Sequence, residues 1–354
     1  MQTSADMQRY PKALKIWLIV GLVMVFGQVV IGGITRLTGS GLSITKWEIV
    51  TGSLPPMNDA AWNEAFDLYK ETPQYHKINK GMSLSEFKFI YFWEYFHRLW
   101  ARLMGFVFAI PFFIFWRKGW IDRILMRRLI GVIALAALAA SFGWIMVKSG
   151  LENRPWVNAY KLTLHLSIGL SLYGYLFWTT LGTFFPNRGL IRNHNVNKWA
   201  KIMTIVLAVQ IVLGGIMSGM KAGLFFPTWP DMNGAFIPSL LFDVSQWNVD
   251  NFVHYDTTPF MSALVQVLHR MTAYALTIIV LIYVVKAKKI STIKVFNTWL
   301  YLLITCLCVQ ITLGILTVLN CVGYVPVGLG VLHQAGALLL LTTALFQNYA
   351  VLRK

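Results

Sequence analysis

Four of the seven histidines occupy comparable places in the chain, each near the start of a long apolar segment: His97, His165, His269 and His333. Imidazole is a common ligand of heme iron, and ionisable side chains inside a membrane are rare and often functional. Imidazoles at equal depth, on helices that face one another, could hold heme iron from both sides. The remaining histidines lie in connecting segments: His76, His194 and His254. The spacing therefore predicts heme-binding chemistry.

Each histidine taken alone has a simpler interpretation. A single imidazole near a membrane interface is more often a hydrogen-bonded polar residue than a ligand, and only the repetition of the pattern favours ligation. Zinc and copper fit less well, because the sequence places no cysteine, methionine or carboxylate cluster beside the histidines to complete a tetrahedral or trigonal shell.

The residues one helical turn before two of the histidines differ. Glu94 precedes His97 by three residues, and Gln266 precedes His269 by the same spacing. Residues three apart on a helix share a face, so one site has a carboxylate where the other has a neutral amide. The carboxylate predicts proton handling or stabilisation of an intermediate where chemistry occurs; the alternative is an interfacial ion pair with a neighbouring arginine. The site without it is expected to hold a permanent cofactor that passes electrons.

Cationic side chains lie close to the histidines. Arg98 and Arg270 directly follow a candidate ligand, and Arg36 and Lys148 lie at the outer ends of the first and third apolar segments. Such cations could pair with heme propionates or simply extend to the membrane interface. For Lys148 the two interpretations have equal weight, and Arg98 and Arg270 are the stronger candidates for propionate binding.

The elements that carry these residues are predicted to cross a membrane. Of the 354 residues 56% are hydrophobic and 13% charged, and a soluble fold could not bury so much apolar surface. Apolar runs of about 20 residues, the length that spans a bilayer core, cover 14–35, 96–116, 128–147, 161–184, 199–219, 263–285, 297–319 and 326–349. The sequence therefore predicts an all-α polytopic membrane protein with eight transmembrane helices.

The net charge of +17 is concentrated before the first span, in alternate connections and at the C-terminus. The connection between spans 2 and 3 alone carries Arg117, Lys118, Arg123, Arg127 and Arg128. Because lysine and arginine are enriched on the cytoplasmic side, both termini are expected in the cytoplasm, with the protein in the inner membrane of a bacterial cell. The alternation argues against a nucleic-acid partner, and no cleavable signal peptide is predicted.

The chain contains an internal duplication. Gln28-Val-Val-Ile-Gly-Gly-Ile34 reappears as Gln210-Ile-Val-Leu-Gly-Gly-Ile216, at an offset of 182 that further Gly, Trp and Pro positions share. We therefore expect two pseudo-symmetric four-helix bundles, 1–190 and 191–354, with the same orientation because each has an even number of spans.

The duplication also predicts how the histidines pair. The His-Arg dipeptide at 97–98 corresponds to that at 269–270, and His165 corresponds to His333. Four-helix bundles commonly build cofactor sites from side chains on facing helices. We therefore expect His97 to pair with His165 and His269 with His333, which gives one bis-imidazole site in each half.

The sequence resembles the heme A synthases of the respiratory oxidase assembly pathway over essentially its whole length. The most specific shared segments are Gly32–Ser43 (GGITRLTGSGLS), Trp47 with Gly52–Pro56 (GSLPP), Glu86–Lys88 (EFK), Glu94–Arg98 (EYFHR), Met146–Leu151 (MVKSGL), Leu268–Arg270 (LHR) and Leu332–Gln334 (LHQ). The resemblance implies that the C8 methyl group of heme O is oxidised to a formyl group, by successive hydroxylations and loss of water, to give heme A.

The resemblance also implies roles for individual residues. His97 and His165 would flank the substrate heme O, Glu94 would be the catalytic carboxylate, and His269 and His333 would hold a heme b. The implied partners are heme O synthase and an electron donor, in a setting of membrane lipid, and a homo-oligomer is left open.

One departure from part of this family concerns cysteine. Some members carry a cysteine pair in the first outer loop; this chain has only Cys306, Cys308 and Cys321, which are expected to be unpaired, and it resembles the cysteine-free branch with mitochondrial and many proteobacterial-type members. The rival interpretation is a bis-histidine membrane cytochrome that only transfers electrons. A proton-coupled transporter would need ionisable residues near the bilayer midplane, which the sequence lacks. Glu94 and the unequal halves favour the enzyme.

Overall fold

The computed structural model describes residues 9–45, 54–152, 155–185 and 189–352. Within these ranges the chain forms eight long helices: α1 (Lys12–Leu37), α2 (Leu84–Arg117), α3 (Arg123–Glu152), α4 (Ala159–Phe184), α5 (His194–Gly219), α6 (Phe260–Ile290), α7 (Lys294–Leu319) and α8 (Val327–Ala350). Short α-helices span Asp59–Lys70, Pro73–Lys77 and Val249–Val253, and 3-10 helices span Ala222–Leu224, Ser239–Leu241 and Val244–Gln246. Trp47 and Gly52 of the shared segments lie outside the described residues.

Seven of these eight helices are long and apolar enough to cross a membrane, as in a multi-pass membrane protein. The exception is α4, which covers the predicted span at 161–184 but contains no stretch apolar enough to count as a candidate span. Several of its polar side chains are buried: Thr163, Thr179, Thr180 and Thr183. Because α4 contacts α1, α5 and α8, many of its side chains meet protein rather than lipid, and its composition need not be uniformly apolar.

The start of α2 differs from the prediction, because the helix begins at Leu84 rather than near 96. Ser83 and Glu86 form a capping box, in which each side chain accepts a hydrogen bond from the other residue's backbone N–H. This local signal extends the helix to 34 residues. His97, near the start of the apolar run, therefore lies several turns inside α2, because hydropathy does not detect the polar turns that precede the run.

Consecutive helices pack in pairs, α1 with α2, α3 with α4, α5 with α6 and α7 with α8, and α1, α4, α5 and α8 also pack together at the centre. Glycine allows the central helices to approach closely. A Cβ on Gly33 would lie 3.1 Å from the Gln334 amide of α8, and one on Gly215 would lie 3.1 Å from Thr163 of α4. The second glycine of each repeated Gly-Gly pair thus faces a helix from the other half of the sequence.

The connection between α1 and α2 folds over the start of α2. Its helix Asp59–Lys70 buries Phe66 and Tyr69 against Phe87. The side-chain amide of Gln74 donates to the backbone carbonyl of Gly39 at 2.9 Å. The connection therefore supports the segment after α1, which reaches the candidate site.

Two short strands, β1 (Ile191–Arg192) and β2 (Val351–Leu352), pair in parallel. The Asn197 side chain of α5 donates to the backbone carbonyl of Val351 at 2.9 Å. These contacts hold the end of α8 beside the start of α5, at the helix ends away from the four histidines.

The N-terminal segment is tied to the connection between α2 and α3. Arg9 and Tyr10 donate to the Asp122 carboxylate at 2.5 and 2.7 Å. Burial raises the pKa of Asp122, but hydrogen bonds from the backbone and from these two side chains outweigh it and hold the pKa below its ordinary value. The start of α1 is thereby fixed next to the end of α2.

Candidate functional site

Each of the four candidate histidines packs against a glycine of the preceding long helix. A Cβ on that glycine would lie 3.0–3.1 Å from the imidazole, in the pairs Gly32/His97, Gly143/His165, Gly214/His269 and Gly314/His333. Any larger residue would force the ring to move. The four helix pairs therefore present their histidines in the same way.

The structure brings the histidines together in twos. His97 and His165 lie near each other, and so do His269 and His333. The first pair comes from α2 and α4, and the second comes from α6 and α8. All four side chains are partly buried. Two imidazoles from facing helices can hold one planar group between them.

The second pair has polar atoms that no protein group satisfies. Among the described residues, the Nδ1 atoms of His269 and His333 are buried and have no hydrogen-bond partner. A buried unpaired nitrogen costs free energy, whereas a heme-ligating imidazole uses one nitrogen for iron and the other as a hydrogen-bond donor. Two such imidazoles facing each other are a donor set that fits a heme b.

Glu94 is buried, with 3% of its surface exposed, and is held by hydrogen bonds on both oxygens. Its Oε2 accepts from the backbone N–H groups of Ser43 and Ile44 at 2.7 and 2.8 Å, and from the Ser43 hydroxyl at 2.8 Å. Its Oε1 accepts from the Arg98 guanidinium at 2.5 Å. Charge-assisted bonds are roughly twice as strong as neutral ones, so Glu94 fixes the segment after α1 against α2.

Gln266 makes the corresponding contact in the second half. It is fully buried, and its Nε2 donates to the backbone carbonyl of Phe226 at 2.9 Å. Phe226 corresponds to Ile44 at the repeat offset of 182. Both side chains therefore hold the same point of the segment after α1 or α5, but Glu94 accepts from a backbone N–H and Gln266 donates to a backbone carbonyl.

The two arginines that follow histidines contact the loops of their own halves. Besides its ion pair with Glu94, Arg98 reaches the carbonyl of Ile44 at 3.4 Å. The Arg270 guanidinium donates at 2.7–3.2 Å to three carbonyl oxygens, those of Thr228, Pro230 and Asp231. Pairing with heme propionates stays a prediction for both; the geometry gives each arginine a role in holding its loop.

Arg36 lies where α1 meets α5. Its guanidinium donates to the backbone carbonyl of Ser218. Burial and the positive charge of Arg36 lower the pKa of Lys221, just beyond α5, so two cations share this place. Lys148 lies over the Trp144 ring, 5.4 Å from its centroid. Arg36 thus stands between the two halves, and Lys148 contacts its own helix.

Three glutamines that hydropathy and charge do not single out also contact the histidines. Their Nε2 atoms lie 2.9–3.4 Å from the ring Nε2, in the pairs Gln28/His97, Gln210/His269 and Gln310/His333. Each glutamine stands four residues before the glycine that touches the same ring, and so lies on the same helix face. The repeated spacing Gln-x-x-x-Gly is the sequence signal that marks them.

Comparison with known proteins identifies the family of the chain. A sequence model of the COX15-CtaA family, described as cytochrome oxidase assembly protein, matches residues 15–345. The heme A synthase of Nitrosospira multiformis is 42% identical over 346 residues, covering 97% of this chain and 94% of the relative. Those of Nitrosomonas eutropha and Flavobacterium johnsoniae are 40% and 37% identical, covering 94% and 95% of this chain and 92% and 97% of the relatives. The chain therefore belongs to the COX15-CtaA family of cytochrome oxidase assembly proteins.

Proposed function

We propose that this protein is a heme A synthase, which oxidises the C8 methyl group of heme O to a formyl group through successive hydroxylations and loss of water. Nearly full-length similarity to three heme A synthases supports the proposal. The observation that carries it is the asymmetry between two equivalent histidine pairs, because a buried carboxylate stands one turn from a histidine in only one of them. A site that performs chemistry and a site that only stores electrons would differ in this way.

The substrate side is the first half, residues 1–190. His97 and His165 hold the heme O ring between α2 and α4, where the two side chains lie near each other. Glu94 is the catalytic carboxylate, one turn from His97. It is the group beside the substrate that can hold or pass on a proton, once its contacts with residues 43–44 are released.

The cofactor side is the second half, residues 191–354. His269 and His333 hold a heme b, which supplies and accepts single electrons when bound. Arg270 fixes the loop above this site by its carbonyl contacts. Gln266 puts no ionisable carboxylate beside His269, and this suits a cofactor that is not itself transformed.

The helices are arranged as eight membrane spans in two related four-helix halves. The contacts support this. Under the duplication, the contact of α1 with α4 corresponds to that of α5 with α8, and the contact of α4 with α5 corresponds to that of α8 with α1. All four contacts are present. The basic residues of alternate connections support cytoplasmic termini, and the proposed location is the bacterial inner membrane. Heme O synthase and an electron donor are the proposed partners, with a homo-oligomer as a further possibility.

Heme extraction tests the function. Cells that express a heme O synthase, with and without this chain, are extracted and their hemes are separated by chromatography. Heme A is expected only with the chain, and the variant carrying His97→Ala and His165→Ala is expected to leave heme O unchanged. Heme O alone, together with a bis-histidine spectrum of the purified protein, would instead identify a membrane cytochrome.

A further inference from the structure

Each pair of consecutive long helices repeats the same arrangement, so the repeating unit is smaller than half of the chain. The first helix of each pair carries a glycine that touches the histidine of the second helix, at Gly32, Gly143, Gly214 and Gly314. Four residues before that glycine stand Gln28, Ala139, Gln210 and Gln310. The position four residues before the glycine, called here the partner position, faces the histidine in every pair.

The glutamines at three partner positions reach the histidines in a similar way. Gln310 donates to the backbone carbonyl of His333 at 3.0 Å while its Nε2 lies 3.4 Å from the ring Nε2. Gln28 contacts the carbonyl and ring of His97 at 3.3 and 2.9 Å. In each case the amide nitrogen, not the amide oxygen, faces the imidazole.

These contacts leave complementary atoms unused. Among the described residues, the Oε1 atoms of Gln28, Gln210 and Gln310 are buried without a hydrogen-bond partner. The Nδ1 atoms of His269 and His333 are unpaired as well. An unsatisfied acceptor therefore stands beside an unsatisfied ring nitrogen in both helix pairs of the second half. Each such buried atom costs free energy, and joining the two would remove both costs.

The rings of His269 and His333 also lie near the backbone of Gln210 and Gln310, but their Nδ1 atoms make no hydrogen bond there. His165 does make such a bond. Its Nδ1 lies 3.0 Å from the backbone carbonyl of Ala139, and Ala139 occupies the partner position of this pair. An Nδ1–H bond to a carbonyl fixes the tautomer that leaves Nε2 for a metal. The partner position thus offers a carbonyl oxygen to the histidine even where it has no polar side chain.

We propose that the partner position supplies the hydrogen-bond acceptor for the Nδ1–H of all four heme-ligating histidines, through the side-chain oxygen of Gln28, Gln210 and Gln310 and through the backbone of Ala139. The proposal rests on the proposed function only in taking the four histidines as heme ligands. On ligation, reorientation of the glutamine and the ring joins Oε1 to Nδ1–H and frees Nε2. The glutamines are positioning residues, which orient the ligands and set their basicity.

The second half gives the cleanest test, because its heme is not consumed. We expect Gln210→Ala and Gln310→Ala to weaken heme b binding about 10–100-fold and to raise its midpoint potential, since a less basic imidazole stabilises ferric iron less. Gln210→Glu, with a stronger acceptor, is expected to restore binding and to lower the potential below that of the wild type. The measurements are heme b per purified protein, redox titration and the low-spin electron paramagnetic resonance spectrum.

Gln347→Ala is the matched control. Gln347 is also a fully buried glutamine, but it accepts from Tyr283 near the far end of α8, so its loss is expected to lower thermal stability without moving the potential or the spectrum. Wild-type potential, spectrum and heme b content in Gln210→Ala, Gln310→Ala and Gln210→Glu would overturn the proposal. A wild-type protein that binds heme b but makes no heme A would overturn the proposed function and leave this one standing.

Discussion

The two halves hold the same loop position with opposite chemistry. In the first half the Glu94 carboxylate accepts from the Ile44 N–H, and in the second half the Gln266 amide donates to the carbonyl of Phe226. The shared contact shows that a side chain one turn before the histidine has a structural task in both halves. What is peculiar to the first half is the negative charge and its arginine partner, and only that difference needs a catalytic explanation.

A second difference separates α3 from the other helices that face a histidine. Ala139 replaces the glutamine that the remaining three carry, and its counterpart Gln310 fills the space beside Gly336 of α8. In α4 the residue that corresponds to Gly336 is Ile168, which is buried. The second half thus packs the large polar Gln310 against a glycine, whereas the first half has the small Ala139 and the large apolar Ile168 at the same two positions. The surroundings of His165 are therefore less polar than those of His333.

The largest expected effect would separate the halves completely. His269→Ala and His333→Ala are each expected to reduce bound heme b more than tenfold, because one axial ligand is lost. His97→Ala and His165→Ala are expected to retain heme b but to abolish heme A formation, since the substrate is no longer positioned. Optical spectra and extracted hemes measure both. Equal loss of heme b from all four variants would break the division into two sites.

Exchange of the carboxylate and the amide would sharpen the comparison. Glu94→Gln is expected to retain heme but to lower heme A formation about 10²–10⁴-fold, the usual contribution of a general acid or base, with the alcohol accumulating. The reciprocal Gln266→Glu removes a donor from the Phe226 carbonyl and is expected to lower the free energy of unfolding by about 1–3 kcal/mol. Chromatography of hemes and thermal unfolding measure these effects. Formation of heme A at the wild-type rate in Glu94→Gln would show that Glu94 only holds its loop.

The smallest expected effect tests whether both halves pack their histidines alike. Gly32→Ala and Gly214→Ala place a Cβ 3.0 and 3.1 Å from an imidazole, and each is expected to cost about 1–3 kcal/mol of stability. Gly105→Ala in α2 is the control: its Cβ meets nothing within 4 Å, and it is expected to stabilise the helix by about 0.5–1 kcal/mol. Thermal unfolding of the three variants is the measurement, and a similar shift in all three would contradict close packing at the rings.

The all-helical membrane fold and the family were predictable, and both predictions are confirmed. The exceptions have local causes. Hydropathy places the start of α2 too late because the capping box at Ser83 and Glu86 precedes the apolar run. It also counts α4 with the other spans, although α4, at the centre of the bundle, contains no stretch apolar enough to count as a candidate span. The division into halves and the roles of the site residues stay predictions.

The sequence by itself determined which residues recur and at what spacing, because helix geometry and membrane thickness convert local patterns into faces and spans. It therefore determined the four histidines, their glycines and the unequal Glu94 and Gln266. Only the tertiary structure decided that Glu94 holds Ser43 and Ile44, that Arg270 holds its own loop, and that the glutamines lie beside the rings. Those contacts join residues distant in sequence, and their partners are fixed by how the helices and loops pack.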